Sequence, residues 1–278
     1  MSDYSQERLQ PEWGKLSILL AITLLSIALF RFVELPGLNW GDVQVFGSPL
    51  GFNFDGSTLL TLLVVGLVAT GTLSIVQDHP QRENRERPLL LALITPSTGA
   101  LLVSIFLVQA TTWPIWLAAL ALGGLTIGLL VHLSYQALSP QSPTYPGART
   151  LLNIVNYLMG FVLFSLSLGQ QERALVTAPA ILILSGLLAI ELLSATGAPT
   201  GQVLLYGGTI ALLESELAWV LGYWPISTWT AATMLTLGLY IWTGIGYQHL
   251  LGRLTQRIIL EFAIIGLLMF VLVLWIRP

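Results

Sequence analysis

The chain contains no cysteine. That absence removes disulfides, thiolate metal sites, iron–sulfur clusters and cysteine nucleophiles, and with them any reading of the redox compartment. Charge is nearly as scarce. Only 9% of the 278 residues are Asp, Glu, Lys or Arg, against roughly 25% in a soluble domain. Hydrophobic residues make up 55% of the chain and the mean hydropathy is +0.80, so a water-soluble globular fold is excluded. The net charge of −3 is small and scattered, which argues against a nucleic-acid partner. Lysine occurs once, and the other ten basic residues are arginine.

Catalytic signatures are missing as well. An intramembrane metalloprotease needs His-Glu-x-x-His, and the chain has no such string. There is no Asp-x-x-Asp for a magnesium–diphosphate site, no Walker loop and no Gly-x-Ser-x-Gly elbow. The three histidines are His79, His132 and His249. Two of them sit in or beside loops; His132 and His249 both lie on the inner side of the expected topology, which leaves one pairing for haem or quinone. No cofactor or metal is expected, and an enzymatic role is not favoured.

What the sequence does have is long apolar runs over its whole length. A helix crosses the hydrocarbon with about 20 mainly apolar residues. By that measure about nine spans are expected, near 15–35, 57–77, 88–109, 114–136, 150–168, 175–196, 203–222, 226–247 and 257–276. Prolines and glycines punctuate them, at Pro36-Gly37, His79-Pro80, Pro114, Pro140 to Pro146, Gly197 to Pro199 and Trp224-Pro225. Pro114 and Pro179 are expected in first turns, where the missing N–H costs nothing. Pro96 is expected to kink the third span. The first run is too long for a signal peptide and reads as a retained helix. Between the first two spans, Asp42 to Phe46 and Leu50 to Phe54 alternate around Gly47-Ser48-Pro49, a hairpin signature.

Basic residues orient this bundle. With the N-terminus inside, Arg8, Lys15, Arg82, Arg85, Arg87, Arg149, Arg253 and Arg257 fall on the inner side, against Arg173 and Arg277 outside. The expectation is a single transmembrane domain over residues 1–278 in the cytoplasmic membrane, N-terminus in and C-terminus out. Trp40, Trp113, Trp116, Trp219, Trp224, Trp229 and Trp275 then gather at the outer surface. They read as an interfacial belt, or as a docking face for other membrane subunits.

Polar residues at depth are the candidate functional groups, because a carboxylate there is costly unless paired or solvated. Glu214 falls near the midplane of the seventh span. Glu216, two residues on, points some 200° away around the helix. Arg31, near the outer end of the first span, is a candidate ion-pair partner for Glu216, with Glu34 competing from one turn away. No basic residue matches the depth of Glu214, so it is expected to be protonated part or all of the time. Toward the inner side lie His132, Tyr135, Asn153, Asn156, Tyr157, Glu191, His249 and Glu261. Of these Asn153, Asn156, Tyr157 and Gly160 share one stripe. Glu191, His132, Asn153, Asn156 and Tyr157 are candidates for an inner vestibule, or for hydrogen bonds between helices. Small residues mark close helix approaches at Gly66 to Gly71, Gly124 with Gly128, Gly207-Gly208, and Gly244 with Gly246. Gly207-Gly208 is also a candidate for local unwinding.

The string Ala69-Thr70-Gly71 through Asp78-His79-Pro80 resembles a segment of an uncharacterised family of bacterial polytopic membrane proteins. The resemblance covers about a dozen residues and implies no activity. Two functions stay open: a proton-linked carrier of a small or lipid-like molecule with Glu214 as its switch, and a non-catalytic accessory or assembly subunit of a membrane complex.

Overall fold

The computed structural model describes residues 13–32, 38–45, 48–78, 89–169 and 174–275. Glu34, His79, and the arginines at positions 8, 82, 85, 87, 173 and 277 lie outside the described residues, as does the side chain of Trp40. Nine α-helices run through the described residues: α1 Trp13–Phe30, α2 Gly56–Gln77, α3 Ile94–Gln109, α4 Trp113–Gln136, α5 Tyr145–Gly169, α6 Ala174–Ser194, α7 Thr200–Gly222, α8 Thr228–Leu250 and α9 Gln256–Trp275. Six apolar stretches are long enough to cross a membrane: α2, Leu89–Gln109, α4, α5, the Val176–Ser194 part of α6, and α7. Strands β1 (Leu38–Val45) and β2 (Ser48–Phe54) pair antiparallel, with Val45 opposite Ser48 and an irregularity between Asn39 and Asp42. Ser48 and Pro49 thus belong to the second strand and not to the turn.

The chain divides into two compact units, Met1–Glu83 with Thr95–Tyr145, and Asn84–Ile94 with Pro146–Pro278. In the first, Leu16, Leu19 and Ile27 of α1 pack with Leu60, Val64 and Val68 of α2 and with Val103, Leu107, Ile127 and Val131. The buried residues of α2 form one stripe, Leu60, Val64, Val68, Thr72, Ile75 and Val76, while leucines on its other faces, such as Leu62, are exposed. A helix apolar all round is what a hydrocarbon solvent permits. Lys15 pairs with Asp78, joining the start of α1 to the end of α2. In the second unit α6, α7 and α8 pack together and α9 leans on α8. Leu152, Phe164, Ile181, Leu188, Leu193, Leu235 and Leu239 are fully buried there.

Several hydroxyls inside apolar helices turn back on their own backbone, whereas those of Thr23, Thr72 and Ser134 have no partner among the described residues. Ser104 donates to Ala100 O at 2.8 Å and Ser185 to Ile181 O at 2.6 Å, which satisfies them where no water competes. The prolines resolve in three ways. Pro114 sits in the first turn of α4. Pro179 lies inside α6 and not in its first turn, because that helix already begins at Ala174. Ahead of Pro96 the chain runs as a 3-10 turn, Leu89–Leu93, and α3 begins at Ile94. Pro96 is therefore a first-turn residue with a dispensable N–H and does not break a helix interior. At the end of α8, Gly252 takes φ +67°, Gly252 N donates to His249 O and Arg253 N to Gln248 O, the paired bonds of a Schellman cap.

Asp55 caps α2, accepting from Thr58 N at 2.9 Å, Thr58 Oγ1 at 2.6 Å and Ser57 Oγ at 2.8 Å. The hydrogen bonds from Thr58 and then Ser57 hold its carboxyl below the usual carboxylate range. The stabilisation is therefore present above that range and is lost as pH falls through the lowered value. Asp55→Ala is expected to destabilise by about 1 kcal/mol, and Asp55→Asn by less, in thermal melts of the detergent-solubilised protein. Equal melting of Asp55→Ala and wild type at neutral pH would show that the cap contributes nothing.

Candidate functional site

The polar interior lies in the unit built from α5 to α9. On α7 the buried positions Val203, Gly207, Ile210, Ala211, Glu214, Ala218 and Leu221 follow a helical stripe. Glu214 stands in the middle of it and is 0% exposed. Glu216 is exposed, as the expected 200° separation requires. The α7 stripe packs on α6 through small residues. A Cβ on Gly207 would lie 2.4 Å from Ile190 Cγ1, and one on Gly186 would lie 3.1 Å from Ala211 Cβ. Ser215 adds a hydrogen bond to Ala178 O at 3.0 Å. The helix runs unbroken through Gly207-Gly208, so these glycines serve approach and not unwinding. Every N–H lost to unwinding in this apolar surrounding would need another partner.

Across from Glu214 stands Gly238 of α8. A Cβ there would lie 2.6 Å from Glu214 Oε1 and 3.2 Å from Leu217 Cδ2. The carboxyl group occupies the space that a side chain would otherwise fill. Neither of its oxygens has a hydrogen-bond partner among the described residues. On the two helices packed against α7 the ionisable groups are Glu191, Tyr240, Tyr247 and His249. Glu191 is taken up by Arg149, Tyr240 contacts the rings of Tyr157 and Phe262, and His249 contacts Tyr206. A carboxylate left this way is among the most expensive groups a protein can bury.

Glu191, expected as a vestibule group, is instead half of a buried ion pair. Arg149 Nη1 donates to Glu191 Oε1 at 2.7 Å and Nη2 to Ser194 Oγ at 2.9 Å. Ser194 in turn donates to Glu191 O at 2.7 Å. Arg149 is 8% exposed and lies within α5, so it is not a loop charge. One signal pointed to this. Arg149, Asn153, Asn156 and Gly160 fall at i, i+4, i+7 and i+11, extending the polar stripe by one turn. Along that stripe Asn156 is fully buried. The Tyr157 hydroxyl is 2.9 Å from Thr243 Oγ1 of α8, and Gly160 admits Leu188 and Leu239. The stripe is used between helices. Asn153 is half-buried, and its Oδ1 has no partner among the described residues.

The remaining candidates separate. Arg31 lies past the end of α1, exposed, in the turn that follows Phe30. Its guanidinium sits 5.5 Å from the Trp113 ring centroid and reaches Thr111 O at 3.5 Å. Arg31 belongs to the first unit and Glu216 to the second, so their pairing stays a sequence expectation. His132 is also in the first unit, and Asn153, Asn156 and Tyr157 are in the second. It stacks on Trp13 at 5.5 Å and accepts at Nε2 from the Gln136 amide at 2.9 Å. His249 is in the second unit and contacts Tyr206 at 5.4 Å. Arg257 donates to Glu261 at 3.0 Å on an exposed helix start, as the spacing of that pair implies. Trp116, expected at the surface, is 5% exposed and packs edge-on against Trp113. Its aromatic face is core and not belt.

Two grooves among the described residues bear on these candidates. One of about 430 Å³ runs between α1 and α4. The other, about 220 Å³, runs between α7 and α8 and is lined by Tyr206, Ile210, Trp242 and His249. Glu214 lines neither.

A family model covers residues 37–276, from the first strand to the end of α9. The chain belongs to the family described as Protein of unknown function (DUF5656). No curated protein and no solved structure matches it. Membership accords with the resemblance carried by Ala69 to Pro80, and it transfers no activity.

Proposed function

We propose that this multi-pass membrane protein is a proton-linked carrier of a small or lipid-like molecule, with Glu214 as the group that takes up and releases the proton. The single observation that supports the reading is the burial of the Glu214 carboxyl with neither oxygen partnered. A packing role is served better by an apolar residue of the same volume. The proposal includes nine spans, the N-terminus on the inner side and residence in the cytoplasmic membrane, supported by the count of basic residues. The polar stripe of Asn153 and Asn156 is the inner approach to the site.

A specific observation favours the second reading, an accessory or assembly subunit. Glu214 is not among the residues that line either groove. The exposed Trp219, Trp224, Trp229 and Trp275 then serve as a contact face for another membrane subunit.

Difference infrared spectroscopy in nanodiscs, with Glu214→Gln as the control, separates the two. A carboxyl band that titrates between about pH 5 and 8 and vanishes in Glu214→Gln is the result expected of the carrier. A band fixed in its protonated form throughout, with Glu214→Gln equally stable, removes the carrier's support and leaves the subunit reading.

A further inference from the structure

The α1–α4 groove lies in the other unit and owes nothing to Glu214. Its walls are Leu16, Leu20 and Leu24 on α1 and Ala121, Leu125 and Leu129 on α4. Gly124 and Gly128 form part of the floor, where Leu24 and Leu20 approach to 3.1 Å of a built Cβ. The leucines settle into the missing side chains, and a furrow is left alongside them.

Two features of the furrow identify an occupant. The first is length. From Trp13 to Leu24, and from Ala121 to His132, each wall spans eleven residues, or about 16 Å. That is close to half of the ~30 Å hydrocarbon core, so the furrow covers one leaflet. The second is polarity. The lining is apolar except at one end, where Trp13 stacks on His132, with Gln136 hydrogen-bonded to the histidine. Lys15, two residues on from Trp13 in the first turn of α1, pairs with Asp78 at the same end. An aromatic pair and charges at one end, with leucine and glycine below, match a lipid whose head stays at the interface. A helix from a second copy would cross both leaflets, whereas the furrow ends after one, at Leu24 and Ala121.

The geometry points to a binding site for one acyl chain of a membrane phospholipid, its headgroup at the Trp13–His132 end and its methyl terminus beside Leu24 and Ala121. The site holds a resident lipid, distinct from the shell that exchanges over the exposed leucines of the other helices.

The test uses the full chain in nanodiscs of phosphatidylethanolamine and phosphatidylglycerol doped with a diazirine phospholipid. With the diazirine at the chain terminus, adducts are expected at Leu24, Ala121 and Leu125. With it beside the headgroup, they should move to Trp13 and His132. Ala121→Phe, which blocks the deep end, should abolish the terminal adducts. Leu122→Phe, on the exposed face of the same turn, should leave them unchanged. Adducts spread evenly over the exposed leucines, or unchanged between the two probes, would overturn the site, as would cross-links showing a second copy in the furrow. Should Ala121→Phe fail to fold, the shift between the two probes on the unaltered protein decides the matter alone.

Discussion

Arg149→Ala is expected to destabilise the α5–α9 unit by about 3–5 kcal/mol, the largest effect of any single substitution outside the apolar core. The reason lies in what remains behind. Glu191 is buried and its Oε1 takes its charge-assisted bond from Arg149 at 2.7 Å. Removing the guanidinium takes the counter-charge from the buried Glu191 carboxylate and frees the Ser194 hydroxyl of its donor. Glu191→Ala should be comparably damaging, since the buried guanidinium then loses its counter-charge and keeps the neutral Ser194 hydroxyl. The double change Arg149→Met with Glu191→Leu should recover most of the loss, because desolvating two ions offsets much of their mutual attraction. Unfolding in detergent, followed by circular dichroism for all variants, reads this directly. A double variant as unstable as either single one would mean that the pair is worth far more than an apolar contact. Single variants that melt with wild type would mean that the pair is solvated.

This pair also shows where the sequence is legible and where it is not. Each of the nine helices falls on one of the nine apolar runs, because length and apolarity are local properties of the chain. The hairpin between α1 and α2 is likewise local, read from alternation and a turn, with its turn displaced because Ser48 can pair with Val45. Facing is harder to read. In water an apolar stripe tells which side of a helix is buried, whereas α2 and α7 are apolar on nearly every side. Only polar residues carry facing information, and there are few. Where several fall together, as from Asn153 to Gly160, the stripe is visible, and Tyr157 and Gly160 meet other helices. Where one stands alone, its partner must be guessed from depth. Depth offered Arg31 for Glu216, yet Arg31 has Trp113 and Thr111 in its own unit. It missed Arg149 for Glu191 because Arg149 had been counted among the loop charges that orient the bundle. Glu214 was legible as a buried carboxyl without a cation; the glycine that makes room for it, 24 residues on, was not.

Gly238→Ala measures that second relationship. Two effects oppose each other. Alanine in a helix interior is worth roughly 0.5–1 kcal/mol over glycine. Against this, the new methyl group would stand 2.6 Å from Glu214 Oε1 and 3.2 Å from Leu217 Cδ2, and overpacking of this kind costs typically about 1–3 kcal/mol. The difference is a net loss of about 0–2.5 kcal/mol. The origin of the loss shows in a second background. With Glu214→Ala the carboxyl is gone, the space is free, and Gly238→Ala should be neutral or stabilising. The coupling between the two sites is then on the order of 1–3 kcal/mol. Equal damage in both backgrounds would assign the clash to Leu217 and release Gly238 from any connection with the carboxyl. The same variant bears on the proton-linked reading. Displacing the carboxyl from the α8 face must alter its surroundings, so Gly238→Ala should shift the glutamate band in the infrared spectrum. If Gly238→Ala is destabilised but its carboxyl band is unmoved, Gly238 supports packing alone, and the proton-binding reading must rest on Glu214 without the shelf that α8 provides.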